Sequence, residues 1–318
     1  MHFLALTLGL LAAAAGAMAQ DYPLRPVKIV QGFAAGGNAD TVARILAQEI
    51  SRGLGQAVIV EAKPGAGSTI AADAVAKAQP DGYTLLLVTG GNAVAGALYK
   101  SLPYNTVESF EMVSTLTFFP FLVIVRSDSP SQTVQALLEA GRAKSESLGY
   151  GSAGIGATQH LTGELLANMA GVKFLHVPYK GDSAALTGLL GGEIQFVIAP
   201  ATAALGQIRA GRLKAIATTG SSRWQGMPEV PTVDETGVKG FDVRSWMGIA
   251  TTSGTPRPIV DRLNKEVLRA LQAREVRAKL EEIGGDVRGS TPAEMRERVA
   301  SELKNWTRVI RDANITQQ

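Results

Sequence analysis

The chain contains no cysteine, which excludes disulfides, thiolate nucleophiles, iron–sulfur clusters and cysteine-ligated zinc together. Histidine is almost as scarce. Beyond His2 only His160 and His176 remain, too far apart in sequence for a local metal pair. Neither sign of charge predominates: 31 basic residues are interspersed with 28 acidic ones. That balance describes a mixed surface and no stripe for nucleic acid. Also missing are a G-x-S-x-G nucleophile elbow, a GxxxxGK[ST] phosphate loop, an HExxH pair and a calcium-loop spacing of acids. No catalytic residue, metal site or cofactor is read from the chain, which has 318 residues, enough for about two domains.

One apolar run stands at the start. Residues 1–19 carry no Asp, Glu, Lys or Arg and end in Ala17-Met18-Ala19, an A-x-A cleavage pattern. The run is shorter than the roughly 20 residues a bilayer span needs, though the positive n-region usual in export signals is absent. It reads as a signal peptide cleaved after Ala19, with the mature protein soluble and outside the cytoplasm. No later stretch is apolar for long enough to cross a membrane.

What is present is an alternation of strands and helices. Val27 to Val30 is a β-branched strand, followed by the turn Gly32 to Gly37 and a helix in which Val42, Ile45, Leu46 and Ile50 recur. Ala57 to Val60 is a second strand, a helix runs to about Lys77, and Tyr83 to Thr89 is a third, wholly apolar strand. Apolar runs without alternation suit a parallel sheet covered on both faces. The pattern then restarts. Strands are expected at Phe121–Val125, Lys173–Val177, Ile194–Ile198 and Leu213–Thr218, and helices at Thr133–Lys144, from Gly156 through Met169, at Ser183–Leu190 and around Gln207. Trp246 to Ala250 is one more strand, and the tail is helical over Pro258–Leu271, Glu275–Ile283 and Pro292 to about Ile310. Thr291-Pro292-Ala293-Glu294 is a capping box with proline at the first helical position.

Two glycine-rich turns join a strand to a helix, one in each α/β unit: Ala34 to Asn38 and Gly151 to Ala157. Free amides of a first helical turn, with the helix dipole behind them, attract anions, and small residues let a carboxylate approach. Glycine also serves such turns for steric reasons alone. Two turns facing one cleft at the carboxyl ends of the strands strengthen the anion reading. Neither fits the G-x-G-x-x-G dinucleotide fingerprint.

At these residues the chain resembles the Bug (TctC-like) family, the periplasmic solute receptors of tripartite tricarboxylate transporters. The similarity runs from Tyr22-Pro23-Leu24-Arg25-Pro26-Val27 through Phe33-Ala34-Ala35-Gly36-Gly37, Pro80-Asp81-Gly82-Tyr83 and Leu102-Pro103-Tyr104. It continues in Tyr150-Gly151-Ser152-x-Gly154-x-Gly156, His176-Val177-Pro178-Tyr179-Lys180-Gly181, Pro231-Thr232, Trp246-x-Gly248 and Gly254-Thr255-Pro256. The resemblance implies a type II periplasmic-binding-protein (Venus flytrap) fold, two α/β domains joined by crossover strands. Domain 1 would comprise residues 21–122 and 244–318, domain 2 residues 123–243, with hinges near Phe121 and Arg244. It implies a monomer that closes on a small organic carboxylate and delivers it to the permease subunits of a tripartite tricarboxylate transporter. The ligand positions carried over are Phe33, Ala34, Ala35, Gly36 and Asp40 in domain 1, with Thr89 and Gly90 at the end of the third strand. In domain 2 they are Ser152, Ala153, Gly154, Ile155, Gly156, Ala157 and Thr158, with Ala199 after the strand ending at Ile198.

Three departures from the family pattern carry expectations. Gly32 stands where the family usually has proline, which loosens the first turn. Ala157 stands where a hydroxyl is common, and Thr158 compensates. Ala199 stands where an aspartate often lines the cleft, so the site is expected to take a mono- or dicarboxylate without an ammonium group. Phe33, Tyr83 and Trp246 are the aromatic residues near enough in the pattern to approach the cleft, with core packing as the other reading. Two alternatives stay open: a receptor that hands its loaded form to a signalling partner, and an exported α/β hydrolase or isomerase using Asp40 with His160.

Overall fold

The computed structural model describes residues 22–143, 148–312 and 315–318; the leader read over 1–19 lies outside them. The first unit is β1 (Val27–Gln31), α1 (Asn38–Leu54), β2 (Val58–Ala62), α2 (Thr69–Ala76), β3 (Thr84–Thr89) and α3 (Gly90–Leu98). β1 pairs in parallel with β2 and with β3. Leu85, Leu86, Leu87 and Val88 of β3 are all at most 2% exposed, as expected of a strand covered on both faces. Then comes β4 (Phe110–Arg126), on the order of 55 Å long at strand rise.

The second unit is α4 (Val134–Ala143), β5 (Gly149–Ser152), α5 (Thr158–Ala170), β6 (Leu175–Pro178), α6 (Asp182–Gly191), β7 (Phe196–Pro200), α7 (Ala201–Arg209) and β8 (Leu213–Thr218). The chain returns through β9 (Arg244–Thr252), α8 (Arg257–Gln272), α9 (Arg274–Glu282), β10 (Asp286–Val287) and α10 (Pro292–Asp312). The returning helices pack on the first unit. Arg269 on α8 donates to Glu49 on α1 at 2.7 Å, and α10 lies against α3. The Thr291–Glu294 capping box forms as read.

All these strands share one sheet in the order β2-β1-β3-β9-β4-β7-β5-β6, with β8 and β10 also paired to β4. Two strands join its halves. Residues 110–120 of β4 run antiparallel to β9, and residues 121–126 continue between β7 and β8. At the junction Pro120 pairs with Arg244. Fully buried Thr219 ties the two crossings together: its amide donates to the Phe121 carbonyl, and its hydroxyl donates to the Val243 carbonyl at 2.7 Å.

Sequence and structure differ at two elements that matter for the cavity. The strand read over Phe121–Val125 begins eleven residues earlier, at Phe110, because Ser114, Thr115 and Thr117 break the apolar run and register shifts beside them break the alternation. Helix α3 was not read at all. Gly90-Gly91 has the look of a loop, yet Thr89 and Asn92 cap the helix, with the Thr89 amide donating to Asn92 Oδ1 at 2.8 Å. Among the described residues no helix is long and apolar enough to cross a membrane.

Candidate functional site

The two glycine-rich turns face each other between the halves of the sheet, and each is held by side chains from its own half. In the first, Gln31 Oε1 accepts the Phe33 amide at 2.8 Å and Asp40 Oδ2 accepts the Gly36 amide at 3.1 Å. Burial works against the charge of Asp40. The Arg44 guanidinium at 2.8 Å and the Gly36 amide outweigh it and hold the carboxyl below its usual range. Gly32, where the family pattern has proline, leaves room for a neighbouring side chain. It is the seat of buried Ser68, whose Oγ lies 2.1 Å from where a Cβ on Gly32 would stand. Among the described residues, no acceptor takes the amides of Ala34 and Ala35.

In the second turn, Ser152 Oγ accepts the Gly154 amide at 3.1 Å and lies 2.6 Å from His176 Nε2. His160 Nδ1 accepts the Gly156 amide at 3.4 Å, and its ring stacks on His176 with centroids 3.9 Å apart. Burial pushes His160 down to about 4. Burial, with His160 alongside, pushes His176 to about 3. Both imidazoles are therefore neutral, and the amides of Ala153 and Ile155 are left without an acceptor. Asp40 and His160, the pair considered for hydrolysis, are each occupied in holding a different turn, and no hydrogen bond joins them.

Between the turns lies a small cavity of about 20 Å³. Of the residues singled out by sequence it brings together Phe33, Thr89 and Thr158. Ala34, Ala35, Gly36, Asp40, Gly90, Ser152, Ala153, Gly154, Ile155, Gly156 and Ala157 lie in the loops and helix starts around it without lining it. Ala199 packs into the apolar core with Leu122 and Ile124, and the next residue, Pro200, lines the cavity. Tyr83 stacks edge-on with Tyr22, and Trp246 is in the core at 1% exposure, so only Phe33 of the three named aromatics reaches the cavity.

Several lining residues escaped the sequence reading. Phe119, Phe121, Ser245 and Met247 come from the crossing strands β4 and β9, whose alternation sends these side chains to the cavity. The others sit at helix starts: Asn38 and Ala39 on α1, Gly91 on α3, Gln159 on α5 and Asp182 on α6. Pro200 immediately precedes α7, so the first turns of four helices and the start of a fifth meet at this cavity, where the sequence pointed to two. Among the described residues no Lys, Arg or His lines it. What the lining offers an anion is the backbone amides and dipoles of these helix starts. Ala199 leaves its own position without a carboxyl, but Asp182, which is only 8% exposed and was not singled out in the sequence, brings one to the cavity.

The halves touch around the cavity. Thr202 Oγ1 on α7 donates to Asn38 Oδ1 on α1 at 2.7 Å. Gly67, in the turn before α2, lies so close to the second turn that a Cβ there would stand 2.6 Å from the Gly156 carbonyl carbon. Room for little more than water, between two touching halves joined through paired crossing strands, is the geometry of a solute-binding protein with its halves together.

Residues 42–315 match the family described as "Tripartite tricarboxylate transporter family receptor", and the chain belongs to that family. Its fold is that of the periplasmic binding proteins of this kind. The structure of the periplasmic binding protein BugD is 37% identical with TM-score 0.90, covering 93% of this chain and 100% of that one. Rpa4515 of R. palustris, solved with adipate, is 33% identical with TM-score 0.89 over 93% and 99% of the two chains. MatC (Rpa3494) from Rhodopseudomonas palustris, with bound malate, is 34% identical with TM-score 0.87 over 91% and 100%. The family is one of solute receptors.

Proposed function

We propose that this protein captures a small organic carboxylate between two domains, residues 21–122 with 244–318 and residues 123–243, and delivers it to the membrane permease of a tripartite tricarboxylate transporter. It works in the periplasm as a monomer, exported by residues 1–19. The observation that carries this reading is the meeting of five helix starts around a cavity lined by no basic side chain. Fixed amide dipoles in a site closed to water favour an anion strongly and need no reorganisation when it arrives. The adipate and malate complexes of two relatives support the same ligand class. In the present shape the cavity is too small for such a solute, so loading requires the halves to part at Phe121 and Arg244 and to close again.

Thermal-shift screening and calorimetry against a carboxylate panel test the proposal, because a ligand that binds only the folded form must raise its melting temperature. At least one carboxylate is expected to bind below millimolar concentration and to compact the protein in solution scattering. Tight binding of an uncharged sugar or a simple cation, with no response to any carboxylate, would refute it.

A further inference from the structure

The cavity contains one group that an anion-binding site does not need. Asp182 is the first residue of α6, is 8% exposed and lines the cavity. Its Oδ1 accepts a hydrogen bond at 2.8 Å from Gln159 Nε2, and Gln159, on α5, is itself only 7% exposed. That bond fixes the plane of the carboxyl. Among the described residues no donor meets Oδ2, and no Lys, Arg or His pairs with Asp182. A buried carboxylate without a cation is costly unless something supplies one. Here the protein supplies none, and the space beside the carboxyl is the ligand's.

We infer that Asp182 is the specificity-determining residue of this cavity and that the selected solute is an amino carboxylate. Its carboxylate is held by the helix starts and its ammonium by Oδ2 of Asp182. The inference rests on the carboxylate-capture reading above and narrows it. A zwitterion leaves no net charge uncompensated in the closed site. A plain dicarboxylate would bring a second negative charge toward the first. A hydroxyl would satisfy one lone pair and leave the charge. Gln159 acts as the positioning residue.

In the empty cavity burial pushes the Asp182 carboxyl up to about 6. The other titratable groups on the surrounding elements do not line the cavity: Asp40 and Arg44 on α1 are paired, His160 and Glu164 on α5 lie behind the second turn, and Lys180 precedes α6. Raising pH from 5 to 7 therefore charges Asp182, which strengthens binding of an ammonium and weakens binding of a plain dianion.

The test is calorimetry on the intact protein with two matched series at pH 5 and pH 7. The amino acids are alanine, β-alanine and 4-aminobutyrate; the comparison acids are propionate, butyrate and succinate. At pH 7 one amino carboxylate is expected to bind roughly 10- to 100-fold tighter than the acid lacking nitrogen, a range typical of a hydrogen bond to a buried charge. Asp182→Asn is expected to abolish that preference by weakening the amino carboxylate and strengthening the plain acid, with a melting temperature no lower than that of the wild type at pH 7. The wild-type preference should also shrink at pH 5, which tests the idea without any variant. Tighter binding of the plain acids at pH 7, or an unchanged ratio in Asp182→Asn, overturns the inference and leaves carboxylate capture standing. Binding of neither series would overturn both.

Discussion

The two turns that face each other across the cavity arrive at the same backbone arrangement through opposite chemistry. In residues 32–37 the amides not offered to a ligand are held by Gln31 and by a charged Asp40 paired with Arg44. In residues 152–157 they are held by the Ser152 hydroxyl and a neutral His160 ring packed on His176. The Arg44 side chain is 58% exposed, so its ion pair is screened and worth little. The second support is buried, and its imidazoles must stay uncharged to remain there. Each turn keeps loop amides free as well as a first helical turn, Ala34 and Ala35 among them in the first and Ala153 and Ile155 in the second. The shared feature is therefore amide geometry, and local charge is the part free to differ.

The contacts that shut the cavity differ in the same way, and breaking them separates the two sides. On the second turn closure is steric: Gly67 meets the Gly156–Ala157 backbone with no room for a Cβ, at φ +61°. Gly67→Ala is expected to prevent full closure. At an overpacking cost of up to about 3 kcal/mol in the closed state, affinity falls roughly hundredfold. Calorimetry with any ligand that binds the wild type measures it. Unchanged affinity would show that this contact plays no part in closing.

Acid separates the supports themselves. His160 and His176 bind protons less readily folded than unfolded, so the stability they contribute is complete above about pH 6.5 and drains away as pH falls toward 4. From pH 7 to pH 5 each costs on the order of 2 kcal/mol. Asp182, whose folded value is raised, returns on the order of 1 kcal/mol over the same interval. Asp40 has its folded value lowered, so its contribution is lost only below about pH 4. Denaturant unfolding is expected to show a net loss of stability between pH 7 and pH 5, partly offset by the raised carboxyls of Asp182, Glu164 and Glu302. A flat profile there, with loss confined to below pH 4, would put the weak support in the first turn instead.

Much of this was legible in the sequence, and the limits have physical causes. β1, β3 and β8 announce themselves as short apolar runs bounded by turn residues, and α1 by apolar residues at helical period. The two turns were found because glycine at a strand end limits what can follow. β4 was half found, since hydroxyl residues and register shifts mask its first part. The cavity floor was not legible. Phe119 and Ser245 are ordinary strand residues until two crossing strands, distant in sequence, lie side by side. Asp182 was passed over because Gly181-Asp182-Ser183 reads as a plain helix start. Only folding shows that its carboxyl has Gln159 on one oxygen and nothing on the other.

The smallest expected effect bears on the first turn's side of the closure. There the contact is polar: Thr202 Oγ1 donates to Asn38 Oδ1 across the cavity, and the bond exists only while the halves are together. Thr202→Val keeps the shape and removes the donor, leaving Asn38, 4% exposed, with its oxygen unpaired in the closed form. The open form loses nothing, because there water reaches both groups. The substitution should therefore shift closure by about 1 kcal/mol, read as roughly fivefold weaker affinity with an unchanged melting temperature of the opened, ligand-free protein. A hundredfold loss, equal to that expected for Gly67→Ala, would mean that the two contacts close as one unit. No loss at all would leave the steric contact at the second turn as what holds the cavity shut.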